Sequence, residues 1–331
     1  MKRNIILILL AVLCLTSLAQ KNSTLYWFGY VKSEYEHSFA EEKDNSGEFD
    51  VLLSGLGLVA DINDFSQAYI FVYGNYPGVN GVDSTSVVVR DYIGVLDVEA
   101  RFKPIENLQL TLGQFVTPFA QEHYKSSSKI DFIKRGYVVA NSPSYRDIGV
   151  YIKYKIPIVT AYASLTNGSG MNTFDGNKYK NFSVWAEVKP IEGLKVMGGT
   201  SIGKDNASDS LAEDQRFYSA GLSFSYGHLG LTSEMSIKDY RDQTSDALYA
   251  YGYYDIPISS DILHWITPGF RYDYLDPPLD LDKTDRYTFG LAFHFDESKW
   301  LSMLRINYEM IDGESTNPPD NLIVELQMRF D

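Results

Sequence analysis

The sequence predicts an all-β fold, a transmembrane antiparallel β-barrel of about sixteen strands. Three observations carry this prediction. Apolar and polar residues alternate with a period of two, the connections between alternating segments are short and long in turn, and aromatic residues make up 14% of the chain. Because successive side chains of a strand point to opposite faces, each segment has one apolar and one polar face.

The alternation is clearest near the carboxyl end. Apolar residues occupy the odd positions from Tyr287 to Phe295 and the even positions from Leu322 to Phe330, with polar or small residues between them. A tilted strand of about 9–11 residues crosses a bilayer, so segments of this length can span one. Strands are predicted near residues 24–38, 48–61, 66–75, 86–102, 108–116, 147–155, 158–166, 181–189, 194–203, 216–226, 229–238, 247–255, 265–275, 284–295, 301–311 and 321–331.

The connections between these segments differ in length according to their parity. Short ones, such as 156–157 and 227–228, alternate with longer polar ones, such as 167–180 and 239–246. Bacterial outer-membrane barrels have short periplasmic turns, long extracellular loops and an even number of strands. A soluble secreted β-protein fits the composition equally well, but nothing in such a fold requires this regular separation of short from long connections.

The amino terminus predicts export. Lys2 and Arg3 precede an apolar run from Ile5 to Leu15, and the small residues of Ser17–Ala19 follow. This pattern is typical of a signal peptide, here residues 1–19, and the run is too short for a membrane-spanning helix. Residues 20–331 are then a single barrel domain, with outer-membrane lipid of a Gram-negative bacterium as its surroundings. Removing the two leader cations changes the net charge from −14 to −16, which argues against nucleic acid as a partner.

The longest connection, Thr117 to Arg146, is the candidate functional segment, because loops of this length inside compact domains usually have a function. Its two anions, Glu122 and Asp131, are outnumbered by five cations. If the loop folds inward, these cations form a pore constriction that selects anions; otherwise they are ordinary solvated side chains. The five are Lys125, Lys129, Lys134, Arg135 and Arg146, and the candidate cations of the lumen wall are Arg101, Lys153, Arg271, Arg305 and Arg329.

Four short stretches resemble one known family, the phosphate-selective porins O and P. They are the run LGQFVTPF at Leu112–Phe119, RDIGV at Arg146–Val150, TNGSG at Thr166–Gly170 and KPIEGL at Lys189–Leu194. They are similar to family motifs in the same order and spacing. The resemblance implies a sixteen-stranded trimeric porin whose third loop folds into the lumen, and an anion-selective pore lined by arginine and lysine.

We therefore expect a water-filled channel for small polar or anionic solutes, including phosphate-like anions. The alternative is a closed outer-membrane barrel that acts as an adhesin or a structural interaction protein. An enzyme is not expected, because no nucleophile elbow, phosphate-binding loop or dinucleotide fingerprint occurs. The five histidines show no metal-ligand spacing, so neither a metal nor a cofactor is expected.

Overall fold

A computed structural model of the chain describes residues 24–40, 47–74, 93–277, 282–313 and 318–331. The predicted signal peptide and the first part of the predicted strand 86–102 lie outside these residues. Strands account for most of the described chain. They are β1 Thr24–Ser38, β2 Gly47–Asn63, β3 Ser66–Gly74, β4 Ile93–Ile105, β5 Leu108–Val116, β6 Arg146–Ile156, β7 Val159–Thr166, β8 Asn181–Ile191, β9 Leu194–Lys204, β10 Asp214–Tyr226, β11 Leu229–Tyr240, β12 Gln243–Tyr254, β13 Ile256–Pro257, β14 Trp265–Asp276, β15 Thr284–His294, β16 Ser302–Gly313 and β17 Asn321–Phe330.

The strands form one sheet that closes on itself. Each strand pairs with its sequence neighbour in antiparallel fashion, and β1 pairs with both β2 and β17. The strand β13 has only two residues and pairs with the start of β14, while β12 also pairs directly with β14. Sixteen full strands therefore form the barrel, as predicted. Closure gives every full strand a neighbour on both sides, so the backbone groups in the paired spans are satisfied without water.

The two faces of the sheet separate apolar from polar side chains. On β17, Leu326 and Met328 are 41% and 58% exposed on the outside, whereas Glu325 and Gln327, which alternate with them, are completely buried on the inside. The same alternation is found on β16, where Arg305 and Glu309 point inward. An apolar outer face and a polar inner face are what a lipid-embedded barrel requires.

One long connection is shorter than predicted. Instead of a loop over residues 239–246, β11 and β12 extend until only Arg241 and Asp242 join them, with φ values of 52° and 57°. Positive φ at both central residues is typical of the type I′ turn, whose twist matches that of the adjoining strands. Among the described residues, no helix is both long and apolar enough to cross a membrane.

The connection between β5 and β6, residues 117–145, lies inside the barrel, and we call it the lumen loop. It contains two single-turn helices, α1 Gln121–Tyr124 and α2 Tyr137–Ala140, with a 3-10 turn between them. Its apolar side chains pack on inward-facing rings of the wall. Phe119 lies 6.3 Å from Phe217 on β10, and Phe132 lies 5.5 Å from Tyr251 on β12, between ring centroids. Among the described residues, the largest apolar cluster is therefore the one that joins the loop to the wall.

Candidate functional site

Three arginines on neighbouring strands hold the backbone of the lumen loop. Each donates a hydrogen bond to a main-chain carbonyl of the loop, which would otherwise be buried without a partner at a cost of about 1–3 kcal/mol. The pairs are Arg271 of β14 with Lys134 O at 2.8 Å, Arg286 of β15 with Arg135 O at 2.8 Å, and Arg305 of β16 with Ile130 O at 2.6 Å.

Acidic side chains of the same wall neutralise these arginines. Asp273 Oδ2 lies 2.7 Å from Arg271 Nε and 3.0 Å from Arg286 Nη2. Glu325 accepts hydrogen bonds from two nitrogens of Arg305, and its other oxygen lies 3.2 Å from Lys32 Nζ. A buried charge is tolerated only when it is paired and hydrogen-bonded. These cations therefore anchor the loop rather than offering free charge to a solute.

The first part of the loop, which contains α1, is anchored on β11. Glu234, 1% exposed, accepts hydrogen bonds from Gln121 N at 2.7 Å and from the Tyr249 hydroxyl at 2.8 Å. Within the loop, Glu122 Oε2 accepts a hydrogen bond from Gly136 N at 2.6 Å, which links α1 to the residue that precedes α2. The loop is thus fixed inside the lumen by carboxylates on one side and by arginines on the other.

The structure gives most of the predicted constriction cations a partner. Lys125 Nζ lies 2.6 Å from Asp131, Lys134 Nζ lies 2.7 Å from Glu36, and Arg146 Nε lies 2.9 Å from Asp97. Arg135 donates to Lys125 O and to the Tyr145 hydroxyl, both at 2.7 Å, and so cross-links the loop. Lys129 is exposed and has no ion-pair partner in the part of the chain that the structure describes.

The predicted lumen-wall cations occupy different surroundings. Arg271 and Arg305 belong to the anchoring network, with 0% and 1% of their surface exposed. Arg101 Nε lies 2.6 Å from Glu99, Lys153 Nζ lies over the ring of Tyr162 at 5.5 Å, and Arg329 pairs with Asp331. Lys32 and Arg286 were not among the candidates, although both lie at inward-facing positions of predicted strands and the alternation could have identified them.

Two cavities flank the lumen loop. The cationic cavity, about 300 Å³, lies between loop residues 124–129 and the wall of β1 and β3–β6. The neutral cavity, about 840 Å³, lies between the loop and β8–β12, and its charges balance at three of each sign. Tyr124 and Lys125 line both cavities, so the loop divides them. Five cations, Arg101, Lys125, Lys129, Arg146 and Arg329, and two anions, Asp97 and Glu99, line the cationic cavity.

Asp131 keeps Lys125 paired. Burial by itself would raise the pKa of Asp131, but the Lys125 ammonium and the Tyr251 hydroxyl, which donates at 2.8 Å, outweigh burial and lower that pKa below its ordinary value. Asp131 is therefore ionised at neutral pH. The cation of Lys125 is largely compensated, which leaves Lys129 as the more available charge of the loop.

The loop histidine predicts a pH dependence of stability. His123 is fully buried between Phe119 and Tyr145, and burial together with the guanidinium groups of Arg135 and Arg146 lowers its pKa from 6.5 to about 3. Between those pH values the unfolded chain binds a proton that the folded chain excludes. The free energy of unfolding should therefore fall on acidification by up to about 1.4 kcal/mol per pH unit.

Denaturant unfolding of the wild type and of His123→Phe, measured between pH 7 and pH 4.5, tests this dependence. The variant keeps an aromatic ring but cannot titrate, so its unfolding free energy should change less with pH. As a control, Phe132→Leu should lower stability equally at each pH, because Phe132 packs on Tyr251 and not on His123. Identical slopes for the wild type and His123→Phe would contradict the assignment.

A closed sixteen-strand barrel with an apolar outer face, a polar interior and a loop packed inside defines the class of protein: a porin-type barrel of a bacterial outer membrane. Residues 25–298 match the model of one porin family, and the chain belongs to that family, described as "Putative beta-barrel porin-2, OmpL-like". Membership of the phosphate-selective O and P family stays a prediction. Family and fold favour a channel over an enzyme.

Solved structures of outer-membrane proteins share this fold at low sequence identity. In vitro folded OmpT of Vibrio cholerae is 12% identical, with a TM-score of 0.64, and the match covers 94% of this chain and 99% of that one. OmpF of Salmonella typhi, in a complex with daunomycin, is 11% identical with a TM-score of 0.65, covering 92% and 97%. OccAB3 of Acinetobacter baumannii is 10% identical with a TM-score of 0.54, covering 93% of this chain and 99% of that one.

No curated protein sequence matches the chain significantly. Among the described residues, no cluster of three His, Cys, Asp or Glu side chains could hold a metal ion.

Proposed function

We propose that the protein is a diffusion channel of the outer membrane that passes small polar solutes and prefers anions, including phosphate-like ones. One observation carries the preference. Five cations and only two anions line the cationic cavity, although the chain as a whole has a net charge of −14. In a narrow, poorly solvated passage, charges about 4 Å apart interact by about 4 kcal/mol, roughly four times more strongly than in bulk water. A local excess of one sign is therefore enough to discriminate between ions.

Lys129 is the residue expected to contribute most to selectivity. The pairing of Lys125, Arg101 and Arg146 with carboxylates reduces the field that they exert on a passing ion. Lys129 is exposed at the cavity wall and has no such partner among the described residues. A passing anion therefore meets its charge with little compensation.

Replacing Lys129 with glutamate should lower the anion-to-cation permeability ratio several-fold, because it exchanges the uncompensated cation for an anion. The measurement is the reversal potential of refolded full-length protein in planar bilayers across a salt gradient. Lys178→Glu is the matched control, since Lys178 is 70% exposed in the connection between β7 and β8 and lines neither cavity. A reversal potential unchanged by Lys129→Glu would remove the anion preference but not the channel.

The closed barrel remains the second candidate because the loop contacts opposite sides of the lumen. Tyr124 lies 5.9 Å from Trp185 on β8, between ring centroids, while the carbonyl of Ser128 accepts a hydrogen bond from Gln327 on β17 at 3.1 Å. A loop that spans the lumen narrows it. The absence of single-channel conductance in bilayers would favour an adhesin or a structural interaction protein over a channel.

We also propose that the chain forms a homotrimer and that the predicted signal peptide is removed on export. A trimer form of Vibrio cholerae OmpT, 13% identical with a TM-score of 0.61, supports a homotrimer for this chain. Chemical crosslinking of native membranes would test it by producing a band of three subunits. Cleavage of residues 1–19 on export is tested by mass spectrometry of the mature chain.

A further inference from the structure

We propose that the cationic cavity is a binding subsite for small aromatic carboxylates. This inference rests on the proposed channel function, since it names the solute class that the pore would favour. It depends on two features that meet in one cavity: aromatic rings on the barrel wall, and cationic donors that remain available, namely Nη2 of Arg101 and the ammonium of Lys129.

The aromatic side of the cavity is formed by inward-facing rings of β1 and β3. Phe28 stacks on Tyr69 with ring centroids 5.3 Å apart and an interplanar angle of 22°, and it lies 5.4 Å from Phe71. Phe28 and Tyr69 are only half-buried and line the cavity. A water-filled barrel normally has a polar inner face. Partly exposed rings at lumen-facing positions therefore offer a surface on which a planar apolar ligand can stack.

The cationic side of the cavity adjoins these rings. The Cζ atom of Arg101 lies 4.1 Å from the centroid of Tyr69. Arg101 uses Nε for Glu99 and Nη1 for Gln67, which leaves its Nη2 without a hydrogen bond among the described residues. Across the cavity, the loop presents Lys129 and the hydroxyl group of Ser126. A guanidinium, an ammonium and a hydroxyl group thus line the same cavity, and the charge-assisted hydrogen bonds that such cations donate to a carboxylate are the stronger ones.

Size and charge together define the ligand. A volume of about 300 Å³ is at the lower end of what small-molecule sites provide, so the subsite accommodates a single-ring compound. The cation excess selects against neutral and cationic aromatics. The rings select a planar π-system over an aliphatic acid of equal charge. Benzoate meets each of these conditions.

Binding to refolded full-length protein in detergent, measured by isothermal titration calorimetry, tests the subsite. The probes are benzoate and cyclohexanecarboxylate, which share a charge and a similar size but differ in aromaticity. We expect benzoate to bind about three- to tenfold more tightly, the range that aromatic stacking supplies. Phe28→Leu should reduce this ratio towards one. Lys129→Gln should weaken both acids and preserve the ratio. Tyr253→Leu, a ring change in the neutral cavity, should alter neither.

Each outcome separates this inference from the channel proposal. Equal affinity for the two acids on the wild-type protein would overturn the subsite, whether or not the variants fold, while conductance in bilayers would leave the channel intact. Conversely, benzoate-specific binding without conductance would support the subsite and reject diffusion. A loss of binding in Tyr253→Leu would place the ligand in the other cavity and overturn the assignment.

Discussion

Replacing Arg305 with alanine is expected to lower the free energy of unfolding by about 3–5 kcal/mol and to raise the single-channel conductance. Arg305 is 1% exposed, and its guanidinium joins Glu325 to the carbonyls of Ile130 and Phe132 in the lumen loop. Without it, Glu325 retains only Lys32, and two buried carbonyls lose their donor. A loop released from the wall should obstruct the lumen less.

Urea unfolding of the refolded barrel and conductance in planar bilayers would measure both effects. Arg241→Ala is the matched control, because Arg241 lies on the β11–β12 turn, 58% exposed, with its nearest carboxylate, on Asp205, at 3.9 Å. Such exposed pairs contribute about 0–1 kcal/mol. The triple variant Lys32→Met, Arg305→Met and Glu325→Met should recover part of the loss, since all three buried charges of the cluster are removed together. Wild-type stability and conductance in Arg305→Ala would show that the network does not hold the loop.

Replacing Gly113 with alanine is expected to prevent most of the protein molecules from folding. The substitution should lower the free energy of unfolding by about 3 kcal/mol or more. Gly113 has a φ of 136°, a conformation that side chains disfavour, and a Cβ atom there would lie 1.9 Å from Val98 O on the paired strand. The obstacle is backbone, so it cannot rotate away. The next residue, Gln114, donates to Leu96 O at 2.8 Å and accepts from Asn172 N at 2.8 Å, so the strain would extend into the connection between β7 and β8.

Gly227→Ala separates the steric effect from the conformational one. Gly227 also has a positive φ, 58°, but on this short turn no atom lies within 4 Å of the position that a Cβ atom would take. Its replacement should cost about 1 kcal/mol, the ordinary penalty of the left-handed region. The fraction of heat-modifiable, folded protein on gels would compare the two variants. Equal folded fractions would contradict the steric interpretation of Gly113.

The sequence predicted the barrel well because the alternation that indicates a strand lies within that strand and does not depend on its neighbours. Alternation along β17 identified Glu325, Gln327 and Arg329 as inward-facing from spacing alone, since a strand places successive side chains on opposite faces whatever its neighbours are. The prediction was wrong at residues 239–246, where the polar composition indicated a loop. There the strands extend to the Arg241–Asp242 turn, because backbone pairing with a neighbouring strand outweighs the low strand propensity of polar residues.

The candidate site was predicted as a set of cations, but the sequence could not show which of them are compensated. Lys134 finds Glu36, which is 98 residues away in the sequence, and Arg305 finds Glu325 because β16 and β17 pair in one particular register. Lys125 and Lys129 are alike in sequence, yet only Lys125 has a carboxylate beside it. Such pairings depend on which strands become neighbours, and side-chain type and spacing do not carry that information.

By itself, the sequence determined that the strands have an apolar outer face and a polar inner face, because the period of two acts within each strand. The tertiary structure alone decided which wall residues hold the lumen loop and which charges remain available. Closure of β1 on β17 brings Lys32 and Glu325 together, and the loop then packs where buried carbonyls find arginine donors. The physical reason is that the cost of burying a charge or a carbonyl depends on its partners in space.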